Sequence, residues 1–451
     1  MSVETKRINW EQVENEAVEI LSRYIRIDTT NPPGNEIKGA LFLKEKLERE
    51  GFECVVLESE KGRGNIVTRY KGDGTLSPLL LLHHIDVVPA EADKWLHPPF
   101  SGKVLDGEIW GRGAFDCKSL GVMELMALLL LKRSGFKSRR DIIFFATSDE
   151  EAGGKYGVEW MVNNHFDLLK TEFVINEGGL AGFSVNDKSL YLCQTAEKGV
   201  CWLRLTFKGT PGHASMPAGK NCISDMSTAI ERISKYKSRL QKSPITVRLI
   251  EGLAKEQSFM EEEIFMGLLD ESLSFNVLDR IPDKGLKTIL NTMLRNTFVP
   301  TVVQGGKKTN VIPSECYCEM DCRMLPGENP ESIIGELKAA LGDITNFDLE
   351  ILGSSTPTES KIPTELYSTI ERCTKRHDPE ARLIPFISSG ATDSRFFRGK
   401  GITAYGFAPL KIEESLSSHL EKMHGHNERI SVESLLYGTR VLYDIVSDFC
   451  S

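Results

Sequence analysis

Long apolar runs are scarce in this sequence. The strongest, around Val122–Leu131, is about half of what a membrane span requires, so no membrane association is expected. The N-terminal Met1-Ser2-Val3-Glu4-Thr5-Lys6-Arg7 carries charge but has no apolar core behind it, which argues against a signal peptide. An excess of basic charge is also missing. The formal net charge is −9, with Lys and Arg interspersed among the acids, and this opposes non-specific binding of nucleic acid. The ten cysteines are scattered and include no C-x-x-C pair; they read as reduced thiols of a cytoplasmic protein. No internal repeat or low-complexity segment interrupts the chain. What remains is a globular composition, 40% apolar and 26% charged over 451 residues, too long for one ordinary core. Two or three domains are expected.

The organising stretch is Leu79–Pro89. Four consecutive leucines read as a strand buried on both faces. The strand runs into His83-His84-Ile85-Asp86 and stops at a proline. A histidine at a strand end with a carboxylate two residues on can bind a metal and have its ring oriented nearby. A core histidine followed by a helix-capping aspartate is the structural alternative, and this stretch alone does not decide between them.

Helical periodicity covers Glu11–Tyr24 and Ile37–Glu50, and strand patterns cover Phe52–Leu57, Asn65–Tyr70 and Leu79–His84. A long loop, Pro89–Gly113, leads to Asp116 and a buried helix from Ser119 to about Arg133. Loops of that length are usually functional. The strand Asp141–Thr147 ends in Asp149-Glu150-Glu151, and Phe173–Ile175 ends in Asn176-Glu177. The alternation predicts an α/β fold with a mostly parallel sheet flanked by helices, in which sites lie at the carboxyl ends of strands. From about Ala196 the texture changes to exposed-face strands (Val200–Lys208, Val311–Arg323, Phe347–Leu352) with helices at Asn221–Lys237 and Glu331–Leu341. A small inserted α+β domain is expected over residues 196–353, with residues 1–195 and 354–451 forming the catalytic domain. Within the insertion, residues 243–298 read as a helical elaboration burying its own core, rather than as a ligand-lining element.

Five residues stand out as metal ligands: His84, Asp116, Glu151, Glu177 and His424. Two imidazoles and three carboxylates suit a pair of divalent ions. The nitrogen content favours zinc, with cobalt or manganese as alternatives. If one carboxylate bridges, each ion receives one histidine, one terminal carboxylate and half of the bridge. Neighbouring side chains diverge, so only one of Glu150 and Glu151 can readily be a ligand; the other is free to act as general base. Taken singly, each residue has an ordinary structural reading: Asp116 could cap a helix, Glu150-Glu151 could be a solvated strand end, and His424 and His426 could be surface residues.

These pieces resemble the M20 family of metallopeptidases and deacylases. The matching segments are His84–Pro89, Gly111–Lys118, Asp149–Gly154, Asn176–Gly179, Gly209–Ser215, Thr309–Pro313, Ala391–Arg395 and His424–Glu428, in the family's order. The resemblance implies that His84 and Glu177 hold one zinc and Glu151 and His424 the other, with Asp116 bridging. It implies Asp86 as the carboxylate that orients His84, and Glu150 as the general base. His213 becomes an oxyanion donor that in dimeric members reaches the partner subunit's site, and Asn310, Arg323 and Arg395 become substrate-gripping residues. The insertion becomes a lid and dimerisation domain whose helical elaboration is similar to the carboxypeptidase S and N-fatty-acyl-amino-acid hydrolase branch. The position before the ligand histidine, usually Gly, is His83 here, and Cys117 and Ser119 replace the commoner Met and Gly. The expected activity is hydrolysis of the amide bond of an N-acyl amino acid or short peptide with a free carboxylate. A non-catalytic scaffold is the alternative from another class, but all five ligands and the base are present. A nucleotide-binding oxidoreductase would rest on Gly153-Gly154-x-x-Gly157, a weak glycine cluster that follows two acids which would repel a pyrophosphate.

Overall fold

The computed structural model describes residues 8–178, 182–185, 188–217, 219–255, 259–411, 413 and 416–451. Met1–Arg7 and Gly179, used in the sequence reading, lie outside them, as do the side chains of Phe259 and Met260.

Ten strands form the main sheet. Its path runs Cys54–Glu58, Gly64–Tyr70, Arg140–Thr147, Leu76–His84, Phe173–Asn176, Thr403–Gly406, Lys188–Glu197 and Thr358–Glu359. The middle four strands, Arg140–Thr147 to Thr403–Gly406, are parallel to one another. Ala381–Ser388 lies parallel beside Lys188–Glu197, and the Cys54–Glu58 margin is antiparallel. The four leucines are fully buried and alternate between two cores. Leu79 and Leu81 face the helices Trp10–Ile25, Lys118–Ser134 and Val432–Cys450. Leu80 and Leu82 face Val158, Met161 and Phe397. This is the period-two geometry of a strand covered on both sides.

A second sheet, wholly antiparallel, has the order Thr297–Gly305, Glu315–Met324, Gly199–Lys208, Phe347–Ser355. The helices Cys222–Lys235 and Pro330–Leu341 pack on one of its faces. The other face is bare at Trp202, Val299 and Val303, each about half exposed.

Two expectations need correction. The stretch Pro89–Gly113 is not loop throughout: Lys103–Leu105 and Glu108–Trp110 form a hairpin, and Arg429–Ser431 adds a third strand. This pairing brings the His424–Glu428 segment beside Gly111–Asp116, with the Gly111 N–H donating to the Glu428 carbonyl at 2.9 Å. Nor does the segment 243–298 close on its own core. Leu249, Ile250, Leu253 and Leu290 bury themselves against Leu190, Leu192, Ile384 and Phe386 of the main sheet. The helices share Leu268, Val277, Leu278 and Ile281 among themselves, but the same cluster extends into strands Lys188–Glu197 and Ala381–Ser388, which it covers.

Leu249→Ala is therefore expected to destabilise the main sheet by about 3 kcal/mol. Hydrogen exchange should quicken in Ala381–Ser388 as well as in the helix; a change confined to residues 243–298 would contradict this packing.

Candidate metal centre and active site

Strand alternation separates the two adjacent histidines. His83 continues the Leu79–Leu81 face and lies fully buried, 5.3 Å from the Phe144 ring by centroids, with Nδ1 2.8 Å from Glu124. Burial pushes its imidazole down to about 3 and the Glu124 carboxyl well up, so the pair is uncharged. His84 turns the other way, toward Asp116 (Nε2 to Oδ1, 3.1 Å) and Glu177 (Nε2 to Oε2, 3.6 Å).

The second carboxylate oxygen of Asp116 lies 3.3 Å from Nε2 of His424, which is 3.2 Å from Glu151. Two donor groups result, and Asp116 belongs to both. One is His84, Asp116 and Glu177 with Cys117 alongside; the other is Asp116, Glu151 and His424. Within each, the ligating atoms lie within 4.8 Å of one another. Burial alone would lower the His84 pKa, but the charge of Glu177 and the hydrogen bond to Asp116 outweigh it and hold it well above its ordinary value. Hydrogen bonds to Asp116 and Glu151 push His424 up to about 10. Burial would raise the Asp116 carboxyl, yet the two imidazoles keep it well below the usual range. Burial drives the Cys117 thiol far up, so it stays protonated beside the site.

The donor set fits divalent cations. Three carboxylates converge on two imidazoles in a largely buried place, and Oε1 of Glu151 is buried with no hydrogen-bond partner. Uncompensated buried carboxylates are costly, and mixed imidazole–carboxylate donors suit zinc-like ions. Glu150 lines the same cavity, and burial followed by the field of Glu177 raises its pKa well above normal.

Asp86 does orient His84, but through its main chain: the Asp86 carbonyl accepts from Nδ1 at 2.9 Å, while the carboxylate lies 3.7 Å away. That carboxylate instead accepts from the N–H groups of Glu150 and Glu151, both at 3.1 Å, and from Asn31 Nδ2 at 2.8 Å. The expected ring contact is thus corrected, because the one N–H that Nδ1 can offer is taken by the Asp86 carbonyl. Asp149, just before them, is left-handed at φ 71°. It is held there by Arg63 and by the Tyr156 N–H at 2.9 Å. His424 is likewise left-handed at φ 58°. Such conformations cost about 1–3 kcal/mol and persist only where the surroundings over-determine them.

Glu428 does that for the other half. It is fully buried, pairs with Arg112 at 2.8 Å, and accepts from the N–H groups of Phe115 and Asp116 at 2.7 and 2.9 Å. Arg112 also donates to the His424 carbonyl at 3.3 Å. Sequence reasoning gave no role to Glu428, Arg112, Asn31 or Arg63. The first two stood inside quoted motifs, so the signal was present for them; Asn31 and Arg63 act only through tertiary contact.

The site opens into a cavity of about 1010 Å3. Arg395 borders it, donating to the Gly153 carbonyl at 2.7 Å. Arg323 borders it from the second sheet, but both of its Asp321 contacts (2.6 and 2.9 Å) are already made. Val200, Trp202 and Gly353 of that sheet line the cavity with it. His213 and Asn310 are not brought there. They sit together on the exposed ribbon Gly212–His213/Val311–Ile312, with His213 Nδ1 2.7 Å from the Ser215 hydroxyl.

The sequence pattern of peptidase family M20/M25/M40 matches residues 80–448. The chain belongs to this family. Among its M20 relatives, the probable carboxypeptidase S-like 2 of Dictyostelium discoideum is 30% identical, over 82% of this chain and 71% of that protein. The N-fatty-acyl-amino acid synthase/hydrolase PM20D1 of Xenopus tropicalis is 28% identical, over 94% of this chain and 84% of its own. Among solved structures, the M20 family metallo-carboxypeptidase Sso-CP2 from Sulfolobus solfataricus superposes with a TM-score of 0.70 at 18% identity, over 97% of this chain and 99% of that one. The fold is thus the M20 fold, with a mostly parallel central sheet.

Glu428→Gln is expected to weaken metal binding about 10- to 100-fold, because it loosens the backbone that aims Asp116. Competition with a chromogenic chelator measures this, and unchanged affinity would remove Glu428 from the positioning role.

Proposed function

We propose that this chain is a two-metal amidohydrolase that releases an amino acid bearing a free carboxylate from its N-acyl group. The observation that carries the reading is the single carboxylate, Asp116, placed between two donor groups, with Glu150 in the same cavity. His84 and Glu177 would hold one ion, Glu151 and His424 the other, and Asp116 both. Zinc is the preferred metal, since each ion would take an imidazole nitrogen. Bound divalent ions lower the pKa of water and polarise a carbonyl.

The chain's own residues supply the rest. Glu150 takes the proton of the attacking water and returns it to the leaving nitrogen, which breaks the C–N bond and leaves a carboxylate and an amine. The Asp86 carboxylate fixes the backbone of Glu150 and so aims the base. Arg395 is the cation best placed to take the substrate carboxylate in a two-pronged hold, Arg323 being engaged by Asp321. Apolar walls at Leu120, Met123, Ile289, Phe386 and Leu410 suit an apolar acyl group better than a polar peptide residue. That agrees with relatives named for N-fatty-acyl amino acids. Short peptides are the competing substrates. The ten unpaired thiols suit a reducing compartment such as the cytoplasm. None of the described helices is long and apolar enough to cross a membrane.

His213 lies outside its own chain's cavity, so its role as oxyanion donor requires a second copy. We assign the pair His213 and Asn310 to the partner's cleft in a homodimer formed through the inserted sheet.

Glu150→Gln should abolish turnover of N-acyl amino acids, with a loss of at least about 10²-fold, while metal analysis still finds two ions. Chelation should abolish activity and added zinc, cobalt or manganese should restore it. A fully active Glu150→Gln enzyme would refute the mechanism. Mixing inactive His213→Ala with inactive Glu150→Gln subunits should restore part of the activity if His213 acts across the dimer. No recovery from mixed dimers would place it elsewhere.

A further inference from the structure

Behind the helix Lys284–Leu294 lies a second cavity of about 230 Å3, apart from the metal centre. Arg295, at the end of that helix, lines it and is only 2% exposed. Its Nε donates to the Ser238 carbonyl at 3.0 Å and its Nη2 donates to the Ser274 hydroxyl. Its Nη1 is buried and has no partner. Among the described residues no carboxylate lies within ion-pairing distance of it. The two acids nearby are engaged: Glu271 accepts from the Leu240 N–H at 2.7 Å, and Glu336 accepts from Asn296 Nδ2 at 3.0 Å.

Further positive charge gathers at the same place. Phe275 is flanked by two cations, the Arg295 guanidinium at 4.0 Å and the Lys237 ammonium at 4.5 Å from the ring centroid. Lys198, also 2% exposed, donates to the Arg295 carbonyl at 2.6 Å, but burial lowers its pKa to about 7, so it adds only part of a charge. Ring quadrupoles and carbonyls ease these cations but do not neutralise them. A buried guanidinium with an unused N–H and no acid in direct contact is costly, although the charge of Glu271 reaches it from further away. A planar or tetrahedral oxyanion would take up the unused N–H, because guanidinium N–H groups match such oxygens directly. The cavity has room for one: a water molecule's share of liquid volume is about 30 Å3.

We propose that this cavity binds a small oxyanion, of the carboxylate or phosphate type, through Nη1 of Arg295. Nothing in the hydrolytic reading assigns this site, and it does not depend on that reading. The location gives it consequence. Asn291 and Arg295 line this cavity, while Thr288 and Thr292, on an adjacent stripe of the same helix run, line the substrate cavity. The segment also enters the second sheet here, at Thr297. An anion at Arg295 therefore sits against the wall of the substrate cleft and at a crossing between the two sheets.

Asn291 provides the test. Its Oδ1 is buried in the same cavity without a partner, and Asn291→Asp places a carboxylate where the anion would be. The metal-loaded wild-type protein, titrated with sodium acetate and separately with inorganic phosphate at sodium chloride-matched ionic strength, should show a saturable rise in Tm of about 2 °C with at least one of them. Asn291→Asp should lose that rise while keeping its metal content. Any anion held at the metal centre would respond equally in both proteins. Should Asn291→Asp misfold, Asn291→Leu, which fills the cavity with apolar volume, serves in its place. No saturable rise with either anion, or equal rises in wild type and variant, would overturn the proposal.

Discussion

Everything at the active site depends on one carboxylate shared between two imidazoles. Asp116 faces His84 with one oxygen and His424 with the other, and Glu177 and Glu151 close the two sides. Bringing three acids together in a low-dielectric place is unfavourable unless positive charge meets them. That constraint explains why both histidines are held on the protonated side of their ordinary range here. It also explains why the same geometry accommodates divalent cations.

The arrangement survives because neighbouring acids are used as scaffolding. Asp86 grips the backbone of Glu150 and Glu151, and Glu428 grips the backbone before and at Asp116. In both cases a buried carboxylate accepts two successive N–H groups, which fixes the direction in which the following side chains leave the chain. Arg112 supplies the counter-charge to Glu428, and Arg63 that to the neighbouring Asp149. Left-handed residues at 149 and 424 are the local cost of turning a strand end and a loop toward one point.

The helical segment within residues 243–298 joins this centre to the rest of the molecule. It covers an otherwise open part of the main sheet and gives Thr288, Ile289 and Thr292 to the substrate cavity. One element is therefore core, cleft wall and boundary of the Arg295 cavity. Its position shapes the cavity from a side away from the candidate metal ligands.

Much of the site was legible in the sequence. Apolar strands ending in His84, Glu151 and Glu177, and the helix-leading Asp116, announce themselves because strand burial and side-chain alternation are local properties. Alternation also separates His84 from His83 once the buried face is known. The segments the sequence reading passed over, Lys188–Glu197, Thr297–Gly305 and Glu365–His377, carry mixed polar and apolar residues whose burial depends on what lies across from them. The partition of roles between Asp86's carbonyl and its carboxylate, the task of Glu428, and the packing of residues 243–298 onto the main sheet were not legible for the same reason. Sequence by itself determined which residues could ligate metal and that most of them follow the ends of buried strands, since residue chemistry and apolar runs are written along the chain. Only the tertiary structure decided that His424 meets Asp116, that His213 does not, and that Arg295 stands buried with no acid in ion-pairing contact, because distances between remote segments follow from packing rather than from spacing.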